Sequence, residues 1–251
     1  MPYHRISVGP GRYDWSFADL AMVEMKRLEI EPILDLCHFG LPDWIGDFQN
    51  PDFPLHFADY CEVVAQRYPW VRFYTPVNEI YVCARFSGLE GKWNERQTND
   101  RAFFTALKHM CAASILGTQA IAKHRPDVVI VQAETAEKVT DMRATPDKRT
   151  ALENEFRFLA LDLLYAVSPS ADVMLCLFDN GLTQEEYRWF MAGKPAGYQI
   201  MGVDYYGRNE SIILPDGEIL RDQDLNGWYG TVKQYYFRYQ RPVVYTETNT
   251  F

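Results

Sequence analysis

The chain is poor in several features that mark common protein classes. Its five cysteines (Cys37, Cys61, Cys83, Cys111 and Cys176) are odd in number and widely scattered, with no Cys-x-x-Cys. A disulfide framework or a thiolate zinc site is therefore not supported, and reduced thiols in a cytoplasmic protein are the expectation. No cluster of Lys or Arg occurs, net charge is −9 and the pI is about 5.1. Nucleic acids and anionic membranes are poor partners for such a surface. No apolar run approaches the roughly 18 residues of a membrane span, and Met1 to Arg5 carries no signal-peptide core. No repeat, low-complexity tract or Gly/Ser linker divides the chain, so residues 1–251 read as a single domain. There is no strand followed by GxGxxG, no P-loop, no HExxH and no GxSxG elbow.

What is present is an alternation of helix-like and strand-like segments, which predicts an α/β fold with parallel strands. The helices expected are Ser16 to Leu28, one within 51–66, Asn99 to His124, Ala151 to Val167, Thr183 to Met191 and Gly230 to Tyr239, and Ala171 to Phe178, which fits strand or helix, is read as a helix capped by Ser170 and stopped by Gly181. In the first of these, Ser16 is a candidate cap, and Phe17, Leu20, Ala21, Val23 and Leu28 lie mainly on one side. Five strands are convincing: Ile30 to Leu36, Val71 to Val77, Val128 to Val131, Gln199 to Tyr206 and Arg241 to Glu247. A sixth is possible at Tyr3 to Val8. A closed (β/α)8 TIM-type barrel needs eight, so the expectation is a barrel without its first strand and its last βα unit.

Two of the strands end on a glutamate: Tyr74-Thr-Pro-Val-Asn-Glu79 and Val243-Val-Tyr-Thr-Glu247. A carboxylate at a strand's C-terminal end is badly placed for a core and well placed for a site. Two carboxylates are the minimum equipment for cleaving a glycosidic bond. The other strand ends offer Cys37-His38, Asn78, Gln132 with Glu134, and Asp204-Tyr205-Tyr206. Glu134 and Glu137 are expected to be solvated, and Asp35, inside an apolar strand, to need an ion-pair partner.

These segments resemble glycoside hydrolase family 1, of the retaining clan of β-glycosidase barrels. Glu79 and its strand are similar to the family's Thr-Phe-Asn-Glu-Pro, and His38-Phe-Gly-Leu-Pro42 to its His-Trp-Asp-Leu-Pro. Gly202-Val-Asp-Tyr-Tyr206 resembles Gly-Leu-Asn-Tyr-Tyr, and the Glu247 strand resembles Ile-Thr-Glu-Asn-Gly. The resemblance runs from about Tyr13 to Glu247, with the motifs in the family's order. It implies retaining hydrolysis of β-glycosides, as by a β-glucosidase, with Glu79 as acid/base and Glu247 as nucleophile. It also implies a sugar site containing His38, Asn78, Asp204 and Tyr206, with Tyr206 orienting the nucleophile. The partner implied is a small carbohydrate, and neither a metal nor an organic cofactor is needed.

The chain departs from the pattern in places. Asp204 stands where the family has Asn, and Thr248-Asn249 follows the nucleophile instead of Asn-Gly. The first-strand Gln and eighth-strand Trp have no counterpart, and the second-strand Arg aligns near Pro2, with Arg5 the nearest substitute. The alternative to an enzyme is therefore a barrel remnant that binds carbohydrate or serves as an oligomeric scaffold, since open sheet edges invite association.

Overall fold

The computed structural model describes residues 1–193, 195–207, 209–221 and 227–249. The chain opens with helix α1 (Tyr3–Ile6), strands β1 (Ser7–Gly9) and β2 (Arg12–Tyr13), and α2 (Ser16–Arg27). There follow β3 (Ile33–Cys37), α3 (Phe53–Arg67), β4 (Phe73–Val77), α4 (Ile80–Ala84) and a π-helical turn at Arg85–Leu89. The middle holds α5 (Asp100–His124), β5 (Val129–Thr135), β6 (Lys138–Asp141), α6 (Lys148–Phe156) and α7 (Leu159–Tyr165). The remainder is α8 (Ala171–Asp179), α9 (Gln184–Ala192), β7 (Tyr198–Asp204), β8 (Glu210–Ile213), β9 (Ile219–Arg221), α10 (Trp228–Tyr239) and β10 (Val243–Glu247).

Strands β3, β4, β5, β7 and β10 form one parallel sheet, and their spatial order is their chain order. A sheet wound in one direction, with helices between its strands, is the wall of a (β/α)8 barrel. Five strands make up this wall among the described residues, and β3 and β10 are its edges. All seven residues of β5, the central strand, are buried, as expected for a parallel strand covered on both faces.

Local chemistry sets the helix limits. Asn99 Oδ1 accepts from Ala102 N at 2.9 Å and starts α5, and Pro126 follows its end. Thr183 and Glu186 form a reciprocal capping box on α9. Gly117 lets α5 approach α3, because a Cβ there would stand 2.8 Å from Cys61 Sγ.

Four details differ from the sequence reading. Tyr3 to Val8 is not a strand of the sheet: it forms α1 and one arm of a small antiparallel hairpin. Ser16 is not a side-chain cap; its amide donates to Asp14 Oδ1 at 2.9 Å. Helix α2 buries Ala18 and Met22 and leaves Phe17, Leu20 and Val23 exposed. A helix's apolar stripe does not name the neighbour it meets, and here the packing selects the adjacent face. Finally, β6, β8 and β9 form a separate three-stranded sheet that was not expected. Its β8–β9 hairpin turns at Pro215-Asp216-Gly217, where Glu218 N donates to Asp216 Oδ1 at 3.0 Å and Gly217 adopts φ +92°.

Candidate active site

Glu79 sits immediately beyond β4, where the strand becomes a helix. Its backbone is left-handed, φ 42° and ψ 57°, a conformation a residue with a Cβ holds only when its surroundings fix it. Neighbouring strands supply that constraint. Asn78 N donates to Cys37 O of β3, and Glu79 N to Ala133 O of β5, both at 3.0 Å. The next two amides, Ile80 N and Tyr81 N, donate to the carboxylate of Glu134 on β5 at 3.0 and 3.2 Å. Asn78 is buried and its Nδ2 has no partner among the described residues.

Glu247 ends β10, beside β7. The register slips between Tyr245 and Glu247, so that Glu247 pairs with Asp204, and Tyr205 N donates to Glu247 O at 3.0 Å. Tyr206, on the turn after β7, donates its hydroxyl to Glu247 Oε2. Thr246 Oγ1 donates to Asp204 Oδ1 at 2.6 Å, while Asp204 Oδ2 is buried and has no hydrogen-bond partner among the described residues. Gly202 is required two residues earlier, since a Cβ there would lie 2.9 Å from Ala133 Cα and from Thr246. At the end of β3, His38 Nδ1 pairs with Asp35 Oδ2 at 2.6 Å. This is the partner that the charge inside an apolar strand called for.

The electrostatics follow from crowding acids in a buried place. Burial, then the charges of Asp204, Glu134 and Glu247, push the Glu79 carboxyl up to about 9. Burial and, against the pull of Thr246, the charge of Glu247 push Asp204 up to about 7. Glu134 is raised to about 8 by burial, opposed by its two backbone amides. His38 is raised by its hydrogen bond to Asp35, and Glu247 and Asp204 add to that attraction. Glu79 therefore holds its proton to a higher pH than Asp204 or Glu134.

The residues picked out from sequence, His38, Asn78, Glu79, Asp204, Tyr206 and Glu247, all stand at the C-terminal ends of β3, β4, β7 and β10. The expectation of a solvated Glu134 is corrected: it is 1% exposed. Its position two residues after Gln132, on the inward alternation of a fully buried strand, was the available signal. Glu137 is half-buried and pairs with Arg85 at 2.9 Å, so it too is more than a solvated charge. Thr246, which fixes Asp204, was not singled out either. Among the described residues no cluster of His, Cys, Asp and Glu suits a metal ion, and no helix is long and apolar enough to cross a membrane.

The sequence matches the model of glycosyl hydrolase family 1 over residues 16–170, more than half of the chain. The chain belongs to that family. It is 26% identical over 202 residues to a 6-phospho-β-galactosidase of Staphylococcus aureus, covering 73% of this chain and 42% of the relative. It is also 26% identical over 119 residues to the 6-phospho-β-glucosidase AscB of Escherichia coli, covering 45% of this chain and 25% of that enzyme. In three dimensions it resembles the β-glucosidase of Thermotoga maritima, solved with cyclophellitol, with a TM-score of 0.83 at 18% identity. That match covers 98% of this chain and 61% of the β-glucosidase, so the fold is that of a family 1 barrel over part of its length.

Proposed function

We propose that the chain hydrolyses β-glycosides with retention, using Glu79 as general acid/base and Glu247 as nucleophile. The observation that carries this reading is the difference between the two carboxyls. Glu79 is buried among acids and keeps its proton to about 9. Glu247 is only half-buried, at the end of β10, and its carboxylate accepts a hydrogen bond from the Tyr206 hydroxyl, which holds it in one orientation. An acid that donates to the leaving oxygen and an anion that attacks the anomeric carbon are the two roles retention needs. Glu247 would form a covalent glycosyl-enzyme, and Glu79, deprotonated by the first step, would activate the water that resolves it.

The surrounding groups fit a sugar. The unpartnered Nδ2 of Asn78 is a donor for the 2-hydroxyl, His38 for another ring hydroxyl, and Asp204 and Tyr206 complete the pocket beside the nucleophile. The five thiols are unpaired, in keeping with a reducing, cytoplasmic setting.

The test is hydrolysis of chromogenic β-glucosides and β-galactosides, each with and without a 6-phosphate, by the wild type, Glu79→Gln and Glu247→Gln. Wild-type turnover that both variants lose by at least about 10³-fold supports the pair. Equal rates in all three proteins sink it. A second reading, a carbohydrate-binding scaffold without turnover, is favoured by the open edges. Ile33 on β3 and Val244 and Tyr245 on β10 are exposed, and edges of this kind associate. A solution mass above the 29.2 kDa of one chain, with sugar binding and no hydrolysis, would favour that reading.

A further inference from the structure

We propose that Glu134 is a positioning residue for Glu79, a clamp on β5 that fixes the turn from which the acid/base is presented. The proposal rests on the acid/base role given to Glu79 above.

The backbone ladder between β4 and β5 pairs Phe73 with Val129 and Tyr74 with Ile130. Past that point side chains of the two strands take over. Thr75 Oγ1 donates to Val131 O at 2.8 Å, and Gln132 Nε2 donates to Val77 O at 2.8 Å. Then three successive amides, those of Glu79, Ile80 and Tyr81, all bond to Ala133 and Glu134. The left-handed residue is thus held on both sides: its own N–H by Ala133 O, and the two that follow by the two oxygens of one carboxylate. Gln132 Nε2 in turn donates to Glu134 Oε1 at 3.2 Å and holds the clamp in place.

A neutral oxygen could satisfy one of those amides. A glutamate satisfies both and, once ionised above about 8, brings a negative charge next to Glu79 in the range where Glu79 itself titrates. The ionisable groups facing Glu79 are Glu134, Asp204, Glu247 and Glu137, with the Tyr206 phenol. Those facing Glu134 are Glu79 and Asp204, with the thiols of Cys83 and Cys111 and the phenols of Tyr165 and Tyr235. Arg85, six residues after Glu79, is engaged by Glu137 and Glu90. Among the described residues the clamp's hydrogen-bond partners are two backbone amides and Gln132, none of them a cation, so its charge when ionised favours the protonated form of Glu79.

Glu134→Gln separates these effects from simple support of the fold. Amide exchange at Ile80 and Tyr81 should quicken by about tenfold or more relative to the amides of β5. In a carbon-13 carboxyl titration, the Glu79 midpoint should fall by about one pH unit. Hydrolysis of phenyl β-glycosides should fall further than that of dinitrophenyl β-glycosides, whose leaving group needs no acid. Should Glu134→Gln not fold, Glu134→Asp keeps the charge and shortens the reach. It should quicken the same amides while moving the Glu79 midpoint by less than about half a unit. Wild-type exchange at Ile80 and Tyr81 in the variant that folds overturns the proposal. So does an unmoved Glu79 midpoint in Glu134→Gln, or an equal loss on both substrates. The exchange and titration need no turnover. If Glu79→Gln proves fully active while those two readouts move as stated, the acid/base assignment fails and the clamp stands.

Discussion

The hydroxyl of Tyr206 donates a hydrogen bond to Oε2 of Glu247, joining the turn after β7 to the last residue of β10. The bond spans the one irregular register in that strand pair and fixes the carboxylate at the sheet's edge. Removing it in Tyr206→Phe leaves the ring's packing and takes away a donor to a charged group, an interaction of about 1.5–3 kcal/mol. The expected result is a fall in kcat/KM for aryl β-glycosides of about 10- to 150-fold, with little change in melting temperature. Comparison of initial rates and melts for the two proteins checks both parts.

The protonation of Glu79 sets an alkaline limit on the reaction. A general acid works only while it holds its proton, so kcat/KM should fall as pH rises towards about 9. Asp204, Glu134 and Glu247 share the cluster, so the midpoint belongs to the group and not to one residue. A pH–rate profile with a phenyl leaving group reads this limb directly. The same profile with dinitrophenyl glycosides should lose most of it.

Much of this arrangement was readable in the residues, and the reasons are physical. Val243 to Glu247 and Phe73 to Val77 are apolar or β-branched runs closed by polar groups, so both their strand character and the placement of Glu79 and Glu247 follow from local pattern. The helix at Ala171 resolves as expected. Glu134 was misjudged because a polar residue near a strand end reads as solvated, whereas all seven residues of β5 are buried and the start of α4 folds back onto the carboxylate with two amides. The β6–β8–β9 sheet escaped notice because its strands are only three or four residues long and take their stability from distant partners. The exposed stripe of α2 shows the same limit: Phe17, Leu20 and Val23 form a face, and only the tertiary fold decides whether it is covered.

Asp204 is expected to cost stability at neutral pH. Burial raises its folded carboxyl to about 7, well above the ordinary aspartate range, so the folded state holds its proton longer than the unfolded one. Stability therefore falls as pH rises from about 4 to about 7, and the loss is complete above that window. Asp204→Asn should be more stable than the wild type at pH 8, by up to about 4 kcal/mol, and nearly equal to it at pH 4. Thermal melts at the two pH values test this. A gain of the same size at both would show that the carboxyl's charge is not the cause.

Helices α7 and α10 are joined by a separate buried network. Arg238 donates two hydrogen bonds of 2.7 Å to Asp162, and the Tyr239 hydroxyl adds one of 2.9 Å. Asp162 is buried and Arg238 mostly so. Removing the carboxylate in Asp162→Ala leaves the Arg238 guanidinium without its acceptor, while Tyr239 keeps Phe158 O, at a cost of about 3 kcal/mol. Urea denaturation should show that loss with an unchanged slope, while the KM of the folded variant stays near that of the wild type.

The pairing of Glu79 with Glu247 is tested most directly by trapping the covalent intermediate. A dinitrophenyl 2-deoxy-2-fluoro-β-glycoside, with the sugar chosen from the hydrolysis screen, is incubated with the protein. Peptide mass spectrometry then locates the label. The expected result is one fluoroglycosyl group on Glu247, formed at a similar rate in Glu79→Gln because the activated leaving group needs no acid. A label on any other carboxylate, or turnover of β-glycosides with no label at all, would contradict it.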